Sequence, residues 1–415
     1  MDAARARWGL AGITFGATYT GEVLSNVAGG LRRDSIYQGK LELSVQADLE
    51  RILGWQDVTL FANVFQIHGT GGVGRDLTGS LITISNIEAL PTTRLSELWL
   101  EKKINNVFNI RFGQLAADAE FFISDVSTMF INSDWPAITA ENLPSGGPAY
   151  PFATPGIRLK ADLRDDTSLL LAVFNGDPAG PGADDAERRN RYGTNFRVSD
   201  PPLAMAEGQF YYNQSASARG LAGKIRLGAW YHFGGFDDQR FGTDGLSLAN
   251  PASNGTAVPL RGNRGIYGVI DQQIYRPTGG DAQSGISIFS RVSASPSDRN
   301  LINVYADGGV VFSGFVPTRP NDKFGATVLY SSISDRLRGL DQDIVAFGTT
   351  GYPVRRYEMT MTLAYQAQIA PNWTLQPEVQ YIVYPGGYVP NPFAAVPNAP
   401  INDALVIGLR TVAKY

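Results

Sequence analysis

The chain has 415 residues, enough for two or three soluble domains on length alone, with 35 Lys and Arg against 39 Asp and Glu and a net charge of -4. It lacks the excess of basic residues that a nucleic-acid-binding protein carries, so no nucleic-acid partner is expected. It has no cysteine, which excludes disulfide bonds and thiolate metal sites. No apolar run of about 18 residues occurs, which excludes a helical membrane span.

Apolar and polar residues alternate near the N-terminus, first over residues 13–20 and then, most clearly, over residues 37–49, YQGKLELSVQADL. From Gly39 to Leu49 every second residue is small or apolar, and the intervening residues are polar. A period of two places the two sets on opposite faces of a β-strand. The segment exceeds the usual strand length of about five or six residues. A strand that long, apolar outside and charged inside, is what crossing a bilayer at a tilt requires.

The same alternation recurs along the chain and predicts about 16 strands, an even number typical of outer-membrane barrels. The clearest later segments are 108–113, 157–164, 221–233, 357–367, 373–383 and 405–415. The mean hydropathy of -0.12 is compatible with a barrel, because lumen-facing polar residues offset lipid-facing apolar ones. Pro377 lies inside one predicted strand and lacks the N–H for a ladder bond, so we expect a bulge or an early strand end there.

The connections between the predicted strands alternate in length. One set is short, at Ile52–Gln56, Ile104–Asn106, Asp165–Asp166, Gln214–Ser217 and Ala370–Asn372. The other set is long, at His68–Thr92, Ala116–Thr154, Gly176–Ala206, Gly234–Asn263, Asp335–Gly351 and Gly386–Asp403. Short periplasmic turns opposite long extracellular loops are typical of an outer-membrane barrel. Trp8, Trp55 and Trp373 fall at the short-turn end, where an aromatic girdle is expected.

Several longer segments carry a resemblance to a known family. They are FGQLAADAEFF (112–122), YPFATPGIRLKADL (150–163), AVFNGDP (172–178), RGIYGVIDQQIY (264–275), SPSDRN (295–300), ADGGVVFSGFVPTRPNDKFG (306–325) and QPEVQYIVYPGG (376–387). In this order they resemble the carbohydrate-selective porins of the OprB type, from residue 8 to the C-terminus. The resemblance implies a single all-β domain over residues 1–415, a closed antiparallel transmembrane β-barrel that passes sugars by facilitated diffusion.

The longest connection, Ala116–Thr154, is the predicted constriction loop. A barrel of this size leaves an aqueous channel, so selectivity requires something that narrows it. The loop begins with acidic and aromatic residues, among them Asp118, Glu120 and Asp125, and inward folding would place these side chains in the channel. An extracellular lid across the barrel mouth is the alternative.

Strand parity places charges of both signs in the lumen opposite that loop. The basic residues are Arg111, Arg158, Lys160 and Arg226, and the acidic ones are Glu42, Glu97 and Asp162. Both signs together suit a neutral polyol, because its hydroxyl groups both donate and accept hydrogen bonds. The alternative is that these charges only hydrate the lumen and pair with each other across strands.

Three tryptophans are candidates for stacking on a sugar. Trp99 and Trp230 occupy strand positions that the alternation predicts to face the lumen, and Trp135 lies in the predicted constriction loop. An aromatic ring against the CH face of a sugar removes apolar surface from water. Packing of each indole between the loop and the barrel wall is the alternative.

No catalytic, cofactor or metal site is predicted. The GTGGVG segment at 69–74 has G-x-G-x-x-G spacing, but a β-like sequence follows instead of the helix that holds a pyrophosphate, so we interpret it as a flexible outer loop. His68 and His232 are far apart in the sequence, and no G-x-S-x-G motif accompanies them. The pairs Asp184–Asp185 and Asp237–Asp238 could hold a divalent ion, but the sequence does not predict that they do.

The sequence therefore predicts a bacterial outer-membrane channel for monosaccharides or other small sugars and polyols, with no cofactor. An anion- or phosphate-preferring porin or a general diffusion porin is the alternative. The carboxylates of the loop disfavour the anion-preferring one. An outer-membrane enzyme is a third hypothesis, which the missing catalytic constellation disfavours. Expected partners are neutral sugars, outer-membrane lipids and lipopolysaccharide, with a homo-oligomer left open. Met1 is expected to begin a chain from which a signal peptide has been removed.

Overall fold

The computed structural model describes residues 7–215, 218, 220–279, 281 and 284–415, so the expected start at Met1 lies outside the described residues. Within these ranges the chain forms sixteen β-strands: β1 (Ile13–Gly30), β2 (Asp34–Asp48), β3 (Val58–Gly69), β4 (Thr92–Lys103), β5 (Phe108–Leu115), β6 (Thr154–Arg164), β7 (Thr167–Asn175), β8 (Pro202–Tyr212), β9 (Gly223–Gly242), β10 (Ala257–Tyr275), β11 (Gly285–Ala294), β12 (Ile302–Ser313), β13 (Lys323–Ile333), β14 (Tyr357–Ala370), β15 (Trp373–Val383) and β16 (Asn402–Lys414). Each strand pairs with its sequence neighbours, and β1 pairs antiparallel with β16. The predicted closed antiparallel barrel is confirmed, and closure satisfies the backbone groups that an open edge would leave in lipid.

Helical segments are short and lie in the connections. The α-helical ones cover Leu49–Leu53, Ala137–Ala140, Ala186–Arg189, Asp335–Ala346 and Pro385–Tyr388, the 3-10 turns cover Ala117–Ala119, Ser127–Met129 and Pro144–Gly146, and a π-helix covers Val73–Thr78. The Asp48 side chain caps the first of these by accepting from the backbone N–H groups of Glu50 and Arg51. Among the described residues, no helix has the length and apolar content needed to cross a membrane.

The two faces of the strands differ as the alternation predicts. Leu43, Leu227 and Leu409 point outward, with 50%, 66% and 45% of their surface exposed. Residues one position away point inward, and of these Arg226 is buried. An apolar outer face and a polar inner face are what a barrel in a bilayer requires.

Replacing Leu43 by arginine should destabilise the barrel by about 2–4 kcal/mol, because the outward position places a guanidinium against hydrocarbon. Urea unfolding of protein refolded into lipid bilayers measures this difference. Gln46→Arg is the control, since Gln46 lies on the lumen-facing side of the same strand and keeps the charge in water. A larger loss of stability in the Gln46→Arg variant than in the Leu43→Arg variant would contradict the predicted strand register.

Two predicted connections are longer than those in the structure. The predicted connection Gly234–Asn263 is wrong, because β9 continues to Gly242 and β10 begins at Ala257. The predicted connection Gly176–Ala206 extends too far, because β8 already begins at Pro202. The β9–β10 hairpin continues beyond the apolar band with polar residues on both faces, so no period of two marks it there. The predicted turn Gln214–Ser217 includes residues 216 and 217, which lie outside the described residues.

Pro377 does not interrupt its strand. It lies within β15 and is paired with Leu409 of β16 without a shift in register, so the expected bulge or strand end is wrong. Its ring lies on the exposed outer face. Toward β14 the paired residues pass from Ala364–Glu378 to Ala367–Leu375, so the position that lacks an N–H donor is not paired on that side.

Candidate functional site

Residues 116–153, between β5 and β6, lie inside the barrel, and we call them the constriction loop. Near its start Phe122 N donates to Glu207 of β8 at 2.8 Å, and farther on Gln376 of β15 donates to the Met129 carbonyl at 3.0 Å. The loop therefore reaches from one side of the lumen to the other. Its side chains Phe121, Phe122 and Ile138 are buried in an apolar cluster with the barrel wall. This cluster and the hydrogen bonds hold the loop in the channel.

A second connection also folds inward: residues 70–91, between β3 and β4, which we call the companion loop. Glu358 of β14 accepts from the backbone N–H groups of Leu81 at 2.9 Å and Ile82 at 2.7 Å. The two loops meet where Asn86 N donates to the Ile131 carbonyl at 2.8 Å. The channel is therefore narrowed from two sides.

The interpretation of residues 69–74 as a flexible outer loop is wrong. Val73 is fully buried at the start of the π-helix, and Gly74 N donates to Glu88 at 2.8 Å. The apolar residues that follow are buried as well: Leu77, Ile82, Ile84 and Ile87. The burial of this glycine-rich segment could not be predicted from its sequence, because it depends on contacts with distant strands.

The companion loop also joins the first and last strands of the barrel. Arg410 of β16 donates to Glu22 of β1 at 2.6 Å, across the line where the barrel closes. The Ser85 hydroxyl donates to Glu22 and lies 3.3 Å from Arg410 Nη2. One loop residue is thus bonded to both terminal strands.

Arg158 fastens the constriction loop to the wall. Its Nε and Nη2 atoms donate to the two carboxylate oxygens of Glu120, both at 2.7 Å, and Nη2 also donates to Glu101 at 2.8 Å. Asn109 accepts from Nη1, and Arg111 donates to Glu101 at 3.0 Å. Arg158 is only 2% exposed, so its guanidinium is committed to these partners.

A second arginine anchors the same loop farther along. Arg226 of β9 donates to the Ile123 carbonyl and, at 3.1 Å, to Asp125, which also pairs with Lys224. Lys160 instead pairs with Asp162 at 3.1 Å and lies beside the periplasmic turn 165–166. Of the four predicted basic residues, Arg111, Arg158 and Arg226 are therefore bonded at the loop, and Lys160 lies apart from it.

The three tryptophans pack between the loop and the wall. Trp135 and Trp230 are 4% and 2% exposed and belong to one apolar cluster. Trp99 lies against Phe61, with ring centroids 4.9 Å apart, and under the Arg111 guanidinium at 3.8 Å. Their indole faces are covered by protein, which matches the packing alternative.

Three polar cavities lie in a row through the barrel. The periplasmic one, of about 420 Å³, and the smallest, of about 110 Å³, are both lined by Thr128. The smallest and the third, of about 260 Å³, are both lined by Asp118 and Asp134. Lys40 and Glu97 also line the third cavity. The two aspartates therefore stand at the junction of the smallest cavity and its neighbour.

Sequence reasoning missed Asp134, Asn63 and Arg291 as lining residues of these cavities, whereas the alternation over residues 39–49 already placed Lys40 in the lumen. The same alternation could have found Arg291, because it lies on an inward face. No local pattern marks Asp134, because the fold of the loop alone brings it beside Asp118. In the described ranges, no group of three His, Asp or Glu side chains is arranged to hold a metal ion.

Burial raises the pKa of both junction aspartates. The pKa of Asp118 rises to about 7, because its carboxyl is removed from water and lies near the charge of Asp134. Burial likewise raises the pKa of Asp134 to about 6, although a hydrogen bond from the Trp135 backbone N–H and the charge of Arg291 oppose the rise. Both groups therefore change charge near neutral pH.

Ion selectivity of the channel should accordingly depend on pH. Raising the pH from about 5 to about 8.5 ionises both aspartates and should increase the permeability of K⁺ relative to Cl⁻. Reversal potentials in a KCl gradient measure this ratio. In the double variant Asp118→Asn, Asp134→Asn the permeability ratio should depend much less on pH. A wild-type shift toward Cl⁻ at high pH would contradict the assignment of these aspartates as the titrating groups.

Comparison with known proteins places the chain in a family. A family model described as carbohydrate-selective porin, OprB family, matches residues 32–415. The chain belongs to this family. This porin is similar to Porin B of Pseudomonas aeruginosa, with 25% identity over 96% of this chain and 87% of that protein. It is also similar to the putative porin QuiX of Acinetobacter baylyi, with 21% identity over 96% of this chain and 88% of that protein.

Solved structures show the same fold. The high-pH structure of Pseudomonas putida OprB matches this porin with a TM-score of 0.83 and 21% identity, over 100% of this chain and 97% of that chain. The outer-membrane channel DcaP of Acinetobacter baumannii matches with a TM-score of 0.55 and 11% identity, over 97% of both chains. The family and the barrel are those of an outer-membrane carbohydrate channel rather than of an enzyme.

Proposed function

We propose that this porin passes neutral sugars through the row of three cavities and recognises them at the junction of the two inner ones. Asp118, Asp134 and Lys40 hydrogen-bond the sugar hydroxyls there, and Glu97 extends the set of acceptors. The observation that carries the proposal is the presence of both aspartates on two adjoining polar cavities inside the constriction. Carboxylates accept from hydroxyl groups and an ammonium donates to them, so a polyol can be bound without carrying a charge.

The pairing of the arginines supports a neutral substrate over an anion. Arg158 is bonded to Glu120 and Glu101, and Arg226 is bonded to Asp125. These guanidiniums therefore offer little free positive charge to a phosphate or another anion. A neutral sugar gains hydrogen bonds at the junction without separating these pairs.

The strength of such bonds fits transport. A hydrogen bond to a charged group contributes about 1.5–3 kcal/mol, and part of this replaces a bond to water. A few such contacts lower the barrier to entry while leaving the sugar able to dissociate. The function therefore needs weak, repeated binding along the row of cavities.

Asp118→Asn and Asp134→Asn should each weaken sugar block of the ion current by roughly tenfold, because each loses a charge-assisted hydrogen bond. The measurement is single-channel current in a planar bilayer, titrated with monosaccharides and disaccharides. Asp165→Asn is the matched control, because Asp165 is exposed in the periplasmic turn between β6 and β7. Unchanged sugar affinity in both junction variants would place recognition elsewhere in the channel.

A further inference from the structure

The outer face of the barrel carries a groove of about 930 Å³ that lies outside the transport path. Outward-facing residues of neighbouring strands line it: Ile157, Leu171, Ala204, Ala206, Ala229 and Ile266. The alanines of β8 and β9 lie between larger aliphatic side chains on either side, so the barrel surface is recessed along these strands. The groove is apolar and faces the hydrocarbon of the membrane.

Arg264 lines the end of this groove that is nearer to the extracellular side. It is exposed on the outward face of β10, opposite Tyr231 of β9. Within the described ranges its guanidinium makes no ion pair or side-chain hydrogen bond. Arg261, closer to the extracellular end of β10, is exposed as well, and Ser295 at the same end has a buried hydroxyl without a hydrogen-bond partner. A lipid-facing guanidinium is unfavourable unless it reaches water or an anion.

A second copy of this chain is a poor match for the groove. It would have to present a carboxylate on its own lipid face at the depth of Arg264. Along the described strands, Glu207 of β8 and Glu358 of β14 are buried and point into the lumen, so neither offers its carboxylate on the lipid face. The Asp403 carboxylate, at the extracellular end of β16, is bonded to Tyr381 and to Tyr384 N.

We propose that the groove binds one molecule of a phosphorylated, multiply acylated lipid of the outer leaflet, of the lipid A type. Its acyl chains lie along the alanine floor, and a phosphate pairs with Arg264 and is reached by Arg261. Charge complementarity carries this choice, because anionic headgroups attract basic side chains placed at the membrane surface. A guanidinium also binds phosphate through two parallel hydrogen bonds.

Native mass spectrometry of detergent-solubilised protein, titrated with diphosphoryl lipid A, tests the proposal. The wild type should form a 1:1 complex. Arg264→Gln should weaken binding about tenfold, because it removes a charge-assisted contact. Ala206→Phe should weaken binding as well, because the ring fills the groove while the charge remains. Lipid A without phosphates should bind the wild type about as weakly as diphosphoryl lipid A binds Arg264→Gln.

Arg33→Gln is the matched control, since Arg33 is an exposed arginine in the extracellular turn between β1 and β2, far around the barrel from β8 and β9. It should bind diphosphoryl lipid A as the wild type does. All variants should keep wild-type conductance, which verifies folding without depending on the lipid. The proposal is overturned if diphosphoryl lipid A binds the Arg264→Gln variant as tightly as the wild type, or if phosphate-free lipid A binds the wild type as tightly as diphosphoryl lipid A does. An oligomer of this chain that dissociates in the Arg264→Gln variant would overturn it as well.

Discussion

Removing the inner part of the constriction loop should raise single-channel conductance several-fold and abolish sugar block. Ala117 N donates to the Pro148 carbonyl at 2.6 Å, so the two ends of the inner segment lie side by side. Residues 121–146 can therefore be replaced by a short Gly-Ser linker while Glu120 keeps its bonds to Arg158. The deletion takes Asp134 and the aromatic side chains of residues 121–146 out of the lumen, which leaves a wider aqueous channel.

An equivalent deletion outside the lumen is the control for this experiment. Thr243 N donates to the Thr256 carbonyl at 2.8 Å, so residues 244–255 at the tip of the β9–β10 hairpin can be replaced by the same linker. This variant should keep wild-type conductance and sugar block. If the inner deletion also left both quantities unchanged, the constriction would have to be formed by the companion loop alone.

Arg158→Ala should detach the start of the constriction loop and destabilise it by about 3–5 kcal/mol. The substitution leaves the half-buried carboxylates of Glu120 and Glu101 without the buried guanidinium that bonds to both, which costs more than the pair itself contributes. We expect noisier open-channel current, weaker sugar block and a lower thermal unfolding temperature in detergent. Arg158→Lys should restore only part of the loss, because an ammonium cannot donate to both oxygens of Glu120 in the same geometry.

Two further variants separate the anchoring role from a general loss of charge. The double variant Arg158→Ala, Glu120→Ala should lose less stability than the sum of the single variants, because it removes the unpaired carboxylate. Arg338→Ala breaks an exposed pair with Asp335 and should cost about 0–1 kcal/mol. Strict additivity for Arg158 and Glu120 would show that their bond does not hold the loop.

The barrel could be predicted because lipid and water impose opposite demands on neighbouring strand positions. Leu41 and Glu42 differ by one position and face different solvents, so the alternation in the sequence records the fold directly. The hairpin beyond Gly234 has water on both sides, so its sequence shows no such alternation. Pro377 was misjudged because a strand in a closed barrel tolerates a missing donor on one side without a change of register.

Less of the candidate site could be predicted. The length and acidic start of the constriction loop indicated inward folding, and parity indicated which charges face the lumen. Neither pattern shows which charges pair with each other, so the engagement of Arg158 with Glu120 and the placement of Asp134 beside Asp118 required the structure. The companion loop was missed because its burial depends on residues distant in the sequence: Ile84, for example, is buried in one cluster with Ile131 and Ile382.

The bonds of Ser85 to both Glu22 and Arg410 constrain the order in which the barrel assembles. Strands β1 and β16 are separated by nearly the whole chain, so their pairing has the greatest loop-closure cost of any in the sheet and must await synthesis of the C-terminus. The Ser85 hydroxyl can bond to both Glu22 and Arg410 only after these two strands have met. The loop that narrows the pore therefore also ties the finished barrel together at the line where it closes.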